Sequence, residues 1–355
     1  MNILRPQTLN EMSGCDALKK TIIVTLNSSR MRNDSFPHTL IYGGPGLGKT
    51  TLANIIANEM GGEFKYFLAN SFKDRNDVQG LMAKLNSDGY DDNGQIVEKI
   101  NPTIIFLDEI HQLKLRTQES FFEAMEDFRF TVTKEDPHSG EEIKQLFWVP
   151  KFTLIGATTR PGELDKPFMD RFKLSLTLTP YTEEQLAQII DKALTTLEVP
   201  HDDVAVLEIA KRSKGVARKA VNYCERVRDV FYCYDEPIAN KQIVEEAFQL
   251  IDVDPVGLEK MERDLLSYLY KIHPQKIGIN RLSNILGVTD SLITDVAEPY
   301  LLKNDFIQAT PGGRMITDKG IEYCERNKMV EVKGSRFRAI IQPTPTSTPK
   351  RLPHA

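Results

Sequence analysis

The run IYGGPGLGKTTLANIIANEMG, which begins at Ile41, places four glycines within six residues, then a lysine and two threonines, then an apolar helical pattern. The apolar stretch TLIYG (39–43) stands directly before the glycines. Gly43 to Thr50 therefore fits G-x-x-x-x-G-K-[ST] between a strand and a helix. Such freedom of the backbone lets successive N–H groups turn inward around an anion, and the start of the following helix adds positive potential. The expected phosphate cradle is Gly43, Gly44, Pro45, Gly46, Leu47, Gly48, Lys49, Thr50 and Thr51. Lys49 suits the β- and γ-phosphates of a nucleoside triphosphate such as ATP, and the Thr50 hydroxyl suits Mg2+.

Further strands are expected at KYFLA (65–69), IIFLD (104–108), FTLIGAT (152–158) and LSLTL (174–178). They are near-continuous apolar runs, as a parallel sheet covered on both faces requires. Helical patterns such as 50–60 and 118–127 lie between them, so the spacing predicts a doubly wound α/β domain with its site at the carboxyl ends of the strands. IIFLDEIH (104–111) puts Asp108 at a strand end, where a carboxylate can meet Mg2+ directly or through water. Its neighbour Glu109 suits polarising an attacking water in metal-clamped phosphoryl transfer. In IGATTRPGELDKPFMDRF (155–172), Thr159 ends the next strand, where its hydroxyl can touch the γ-phosphate or that water. Arg171 falls on the far side of the domain, where it is either a finger for a neighbouring subunit's nucleotide or a surface ion pair.

The strands stop after Pro180. Thr182 and Gln185 have the spacing of a capping box, and helical patterns at 203–213, 216–232 and 240–250 predict a small all-helical domain. DVDPVG (252–257) reads as a linker. Three helical patterns from Leu258 onward, then FIQATPGGRMIT with a turn at Pro311-Gly312-Gly313, predict a winged helix. The expected division is 1–181 for the large α/β domain, 182–254 for the helical one, 255–330 for the winged helix and 331–355 for a flexible basic tail. That tail carries Lys333, Arg336, Arg338, Lys350 and Arg351, which suit either phosphate contact or plain solvation. A net charge of −5 does not favour coating of nucleic acid by the whole surface, though it leaves room for a local basic face. Cys15, Cys224, Cys233 and Cys324 show no C-x-x-C spacing and read as reduced thiols of a cytoplasmic protein. No signal pattern opens the chain, and no run long enough to span a membrane is present.

The phosphate loop, DEIH, GATTRPG, DRF and GVARKAVNYCERVRD (215–229), in this order, resemble the RuvB family of AAA+ motors, which drive Holliday-junction branch migration. The likeness runs from about Leu4 to Cys324. It implies an AAA+ P-loop domain, a helical lid and a winged-helix domain, ATP and Mg2+ as cofactors, and a homohexameric ring on double-stranded DNA and four-way junctions. It also implies a RuvA-like partner and a role in recombination and repair. Under the resemblance Lys49 and Thr50 form Walker A, Asp108 and Glu109 form Walker B, Thr159 is sensor 1 and Arg171 the finger supplied in trans. Arg218 becomes sensor 2, a lid arginine that reports the γ-phosphate. Tyr181, otherwise readable as an ordinary interdomain contact, packs on adenine. Arg5 and Pro6 lie along the nucleotide, and Arg314 on the wing touches the DNA backbone.

The sequence also departs from the family. EMSGC replaces the usual continuation of the opening, Ala217 stands where Pro or Met is common, and Ala309 and Gly312 replace two wing arginines. SDGYDDNGQIVEKI (87–100) reads as an acidic insertion, and the hairpin at 128–150, where the family presents apolar residues to RuvA, has a charged tip at Glu135-Asp136-Pro137. Two rival functions use the same motifs: a clamp-loader-like AAA+ switch and a nucleotide-gated DNA-binding regulator.

Overall fold

The computed structural model describes residues 4–87, 102–135, 142–234 and 236–328. The expected acidic insertion (beyond its first residue), the tip of the 128–150 hairpin beyond Glu135 and the basic tail lie outside them. The chain divides into two compact units, the first ending at Gly257 and the second beginning at Leu258.

The first unit opens with helix α1 (Asp16–Met31), then strand β1 (Thr39–Gly43), helix α2 (Lys49–Met60), strand β2 (Glu63–Leu68) and helix α3 (Arg75–Ser87). Strand β3 (Thr103–Asp108) and helix α4 (Leu115–Asp127) follow, then a hairpin of β4 (Arg129–Glu135) and β5 (Glu142–Trp148), strand β6 (Phe152–Thr158), helix α5 (Lys166–Met169) and strand β7 (Leu174–Leu178). Five of the strands form one parallel sheet in the order β2-β3-β6-β1-β7. Side chains alternate across a strand, so Ile104 and Phe106 of β3 join one apolar core with α2, while Ile105 and Leu107 join the other with Phe121 and Phe168. This is why the strand reads as unbroken apolar sequence. Because all five run the same way, the segments after β1, β3, β6 and β7 emerge at one edge.

His38 sits just before β1, buried against Phe152. Its Nδ1 accepts from the Leu154 N–H at 2.9 Å, so Nε2 carries the proton that is donated to the Met125 carbonyl at 3.0 Å. Burial, with Lys173 adding to it, lowers the imidazole from 6.5 to about 4 despite the bond to Met125. The unfolded chain therefore takes up this proton first. The contribution is full above pH 6.5 and is lost as pH falls toward 4, on the order of 3 kcal/mol in all. Urea unfolding across that window is expected to show a steeper loss of stability for the wild type than for His38→Gln. Equal slopes would contradict this.

Four helices complete the first unit: α6 (Glu183–Thr196), α7 (Asp203–Arg212), α8 (Ala217–Phe231) and α9 (Lys241–Leu250). The predicted capping box is present, with Thr182 accepting from the Gln185 N–H and Gln185 from the Thr182 N–H. Asp202 and Asn240 cap α7 and α9. Leu186, Ile190 and Leu194 of α6 extend the core that begins under the sheet.

The second unit holds α10 (Lys260–Ile272), α11 (Ile279–Leu286), a helical run made of α12 (Asp290–Leu292), a π-turn (Ile293–Ala297) and α13 (Glu298–Lys303), then hairpin β8 (Ile307–Thr310) and β9 (Gly313–Ile316), then α14 (Asp318–Lys328). The widened turn falls where Pro299 cannot donate to the carbonyl four residues back. The hairpin turn differs from the expected one: Pro311 and Gly312 form it, and Gly313 already pairs with Thr310 as the first residue of β9. Gly313 has φ 120°, and a Cβ there would come within 2.3 Å of the Ile277 carbonyl oxygen. Only glycine lets the wing strand bridge so closely to Ile277. Helix α14 was absent from the three-helix expectation.

Candidate functional site

The glycine loop joins β1 to α2 along the sheet edge. The Lys49 side chain is tucked back, with Nζ donating to the carbonyls of Gly43 at 2.8 Å and Gly44 at 3.2 Å. Burial pushes its ammonium below the usual lysine range and Arg218 adds to that, while Glu109 and Asp108 oppose it. No side chain caps the first turn of α2, whose N-cap is Gly48. Its leading N–H groups therefore lack intrahelical partners and suit an anion. Gly46 has φ 76°, and a Cβ there would meet Val216 at 2.8 Å and Arg218 at 3.0 Å. The loop and the start of α8 are thus in close contact, joined also by the Arg218 N–H to the Gly46 carbonyl at 3.1 Å.

Asp108 ends β3, and both of its oxygens are held. Oδ1 accepts the Glu109 N–H at 3.1 Å, and Oδ2 accepts the Tyr66 hydroxyl at 3.2 Å. Glu109 takes a left-handed conformation, φ 50°, which turns the chain sharply at the strand end. Its Oε2 accepts the Thr159 hydroxyl at 3.1 Å and lies 3.3 Å from His111 Nδ1. His111 Nδ1 also meets Thr158 Oγ1 at 2.9 Å. The carboxylate is thus gathered to the end of β6 by a hydroxyl and an imidazole.

Tyr181 follows β7. Its hydroxyl donates to the Leu47 carbonyl at 3.2 Å, and its N–H to the Gly215 carbonyl at 3.0 Å. Burial raises this phenol to about 12, so it remains a donor. The N-terminal segment packs beside α2 and α6: Asn58 donates to the Gln7 carbonyl at 3.0 Å, and Lys192 of α6 to the Glu11 carbonyl at 3.1 Å. Together these elements enclose a cavity of about 1180 Å³. Its wall includes Arg5, Pro6, Pro45, Gly46, Gly48, Lys49, Thr50, Thr51, Asp108, Glu109, Tyr181 and Arg218. Met12 and Ser13, from the departing stretch of the opening, line it too. Gly43, Gly44 and Leu47 reach it through the bonds to Lys49 and Tyr181 just described, and Thr159 through Glu109.

Two predicted residues lie elsewhere. Arg171 is not in the cavity wall. Its Nε pairs with Glu126 at 3.1 Å, Nη1 donates to the Pro167 carbonyl at 3.3 Å, and the guanidinium lies 4.9 Å from the centre of the Phe122 ring. Arg314, in the second unit, makes a two-pronged pair with Glu298 at 2.6 and 3.1 Å. Glu298 is 5% exposed, and stripping such a carboxylate of its partner costs about 3–5 kcal/mol. The hydrogen bond to Glu298 raises the Arg314 pKa further, and Arg314 has a structural task in the wing. Tyr66, His111 and Glu298 were not predicted as site or partner residues. Of these, only His111 carried a sequence signal, as the last letter of DEIH.

A parallel sheet carrying a glycine-loop lysine, an acidic pair one strand across and a lid arginine over the same cavity, with a winged unit beyond, defines a P-loop ATPase of the AAA+ class. Three family matches tile the chain: the Holliday junction DNA helicase RuvB P-loop domain over residues 4–178, the RuvB AAA lid domain over 181–254, and the RuvB C-terminal winged helix domain over 255–325. The chain belongs to the RuvB family. Among solved structures it is similar to the Thermotoga maritima RuvB Holliday junction branch migration motor, at 32% identity and a TM-score of 0.75 over 91% of this chain and 98% of that one. Two variants of the same Thermotoga protein match at 32% identity with TM-scores of 0.77 and 0.76, covering 91% and 90% of this chain and 99% and 98% of theirs. Membership implies nucleotide binding and ATP hydrolysis. Among the described residues no helix is long and apolar enough to cross a membrane.

Proposed function

We propose that this chain is the motor subunit of a homohexameric ring that hydrolyses ATP to move double-stranded DNA at four-way junctions, in recombination and repair in the cytoplasm. The observation that carries this reading is the convergence of Lys49, Asp108 and Glu109 with Tyr181 and Arg218 around one cavity. Residues of the helical bundle touch the phosphate loop itself, so a change at the γ-phosphate is felt by the lid. In functional terms 1–181 is the ATPase, 182–254 the lid, 255–330 the DNA-binding winged helix and 331–355 a basic tail.

Residue by residue, the loop from Gly43 to Thr51 cradles the phosphates with its amides, and Lys49 exchanges its two carbonyl partners for β- and γ-oxygens. Glu109 orients the attacking water, Thr159 reads the γ-phosphate, and Arg218 reports it to the lid. Tyr181 and Arg5 border the nucleoside. Arg171, turned away from its own cavity, serves the next subunit. The donor set fits Mg2+, which is held by one or two protein oxygens alongside phosphates and water: Asp108 and Thr50 share the cavity wall, and Asp108 is held at both oxygens. Bound there, Mg2+ would neutralise charge on the β- and γ-phosphates. Arg314 contacts the DNA backbone only in competition with Glu298, so the missing wing arginines leave a weak phosphate grip and a shallow salt dependence.

On the β4–β5 hairpin, Leu146 and Trp148 are 47% and 58% exposed. They offer an apolar contact to a RuvA-like partner that the charged tip does not. The test is ATP-dependent dissociation of a labelled synthetic four-way junction, with and without that partner. Dissociation that needs ATP is expected. Strong ATPase with no junction movement under either condition would contradict the motor reading.

A further inference from the structure

Tyr66 is an aromatic residue that packing alone does not explain. It is 47% exposed, yet it lies on the cavity wall beside Asp108. Strands β2 and β3 run parallel with Tyr66 opposite Phe106 and Leu68 opposite Asp108. Position 66 is therefore two pairs before the strand end, on the same face as position 68, and a phenol there reaches along β3 toward its last residue. The ring lies against Phe106, centres 5.7 Å apart and planes 30° from parallel, which fixes the direction of that reach. Its hydroxyl then meets Asp108 Oδ2 at 3.2 Å, while the Glu109 amide takes Oδ1 at 3.1 Å. With both oxygens engaged, rotation of the carboxylate is restrained from two sides.

We propose that Tyr66 is a positioning residue for the nucleotide site: its hydroxyl sets the orientation of Asp108 so that the carboxylate meets the divalent cation carried by the triphosphate. The proposal rests on the reading of Asp108 as the Mg2+ contact. Partners that orient a metal-binding carboxylate from behind change metal affinity by about 10- to 100-fold when removed. Tyr66 as a whole is 47% exposed, so the lower end of that range applies. Its phenol is held above the usual tyrosine range by desolvation and by Asp108.

The test measures binding of a fluorescent ATP analogue to the full chain over a Mg2+ titration, for the wild type, Tyr66→Phe and Asp108→Asn. Phenylalanine keeps the ring on Phe106 and removes only the hydroxyl, and thermal unfolding without nucleotide checks that the fold is retained. For Tyr66→Phe the Mg2+ midpoint is expected to rise about tenfold. Its KM for ATP at limiting Mg2+ should rise with it, and kcat should return toward the wild-type value when Mg2+ saturates. A loosened fold would instead lower kcat at every Mg2+ concentration. An unchanged midpoint for Tyr66→Phe beside a raised one for Asp108→Asn overturns the positioning role and leaves the site reading intact. An unchanged midpoint for both removes Asp108 as the Mg2+ contact and the proposal with it.

Discussion

Glu109→Gln is expected to lower ATP turnover by about 10²- to 10⁴-fold while ATP still binds, the range for loss of a group that handles a proton in the transition state. The amide is close in size to the carboxylate and can still accept from the Thr159 hydroxyl, which now meets Glu109 Oε2 at 3.1 Å. What it lacks is the charge that draws a proton from water. Binding should survive because the loop amides and Lys49 are untouched. Steady-state ATPase together with analogue binding separates the two effects, and light scattering should show the assembled ring retained in ATP. Turnover near the wild-type rate would remove Glu109 from its role.

Arg171→Ala has the larger expected effect, a loss of about 10³- to 10⁵-fold in hydrolysis with ATP affinity largely kept. Within its own subunit Arg171 pairs with Glu126 and lies over Phe122, away from the cavity wall. A half-exposed ion pair of that kind contributes about 1 kcal/mol or less, so the fold should tolerate the change. Loss of turnover without loss of binding or of thermal stability therefore points to the neighbour's nucleotide. If hydrolysis is unaltered, Arg171 is only the surface ion pair that its local contacts describe.

The centre of the sheet was legible because β3 and β6 are buried on both faces: Ile104 to Leu107 must all be apolar when alternate residues serve two cores. The phosphate loop, the Asp108–Glu109 pair and the Thr182 capping box were legible because each is a local pattern with a local cause. Contacts made across strands were not. Tyr66 on Asp108 depends on the register of β2 against β3, which no spacing within β2 encodes. The pairing of Arg314 with Glu298 spans a helix and a hairpin, and a lone arginine after two glycines gives no hint of it. Helix α14 is mostly polar, and the large side chains it buries are Tyr323 and Cys324, too few to mark an apolar stripe. Arg218 and Tyr181 took their meaning from the family resemblance, since neither a lid arginine nor a tyrosine after a strand indicates that it will contact a phosphate loop.

If ATP is cleaved at a seam between two copies of this chain, two inactive variants should restore activity to each other when mixed. Lys49→Ala subunits cannot hold the triphosphate but still present Arg171, and Arg171→Ala subunits hold it but lack the arginine. Combined under conditions in which they co-assemble, they are expected to hydrolyse ATP well above the sum of their separate rates. Co-assembled mixtures with no more activity than that sum would contradict the shared site.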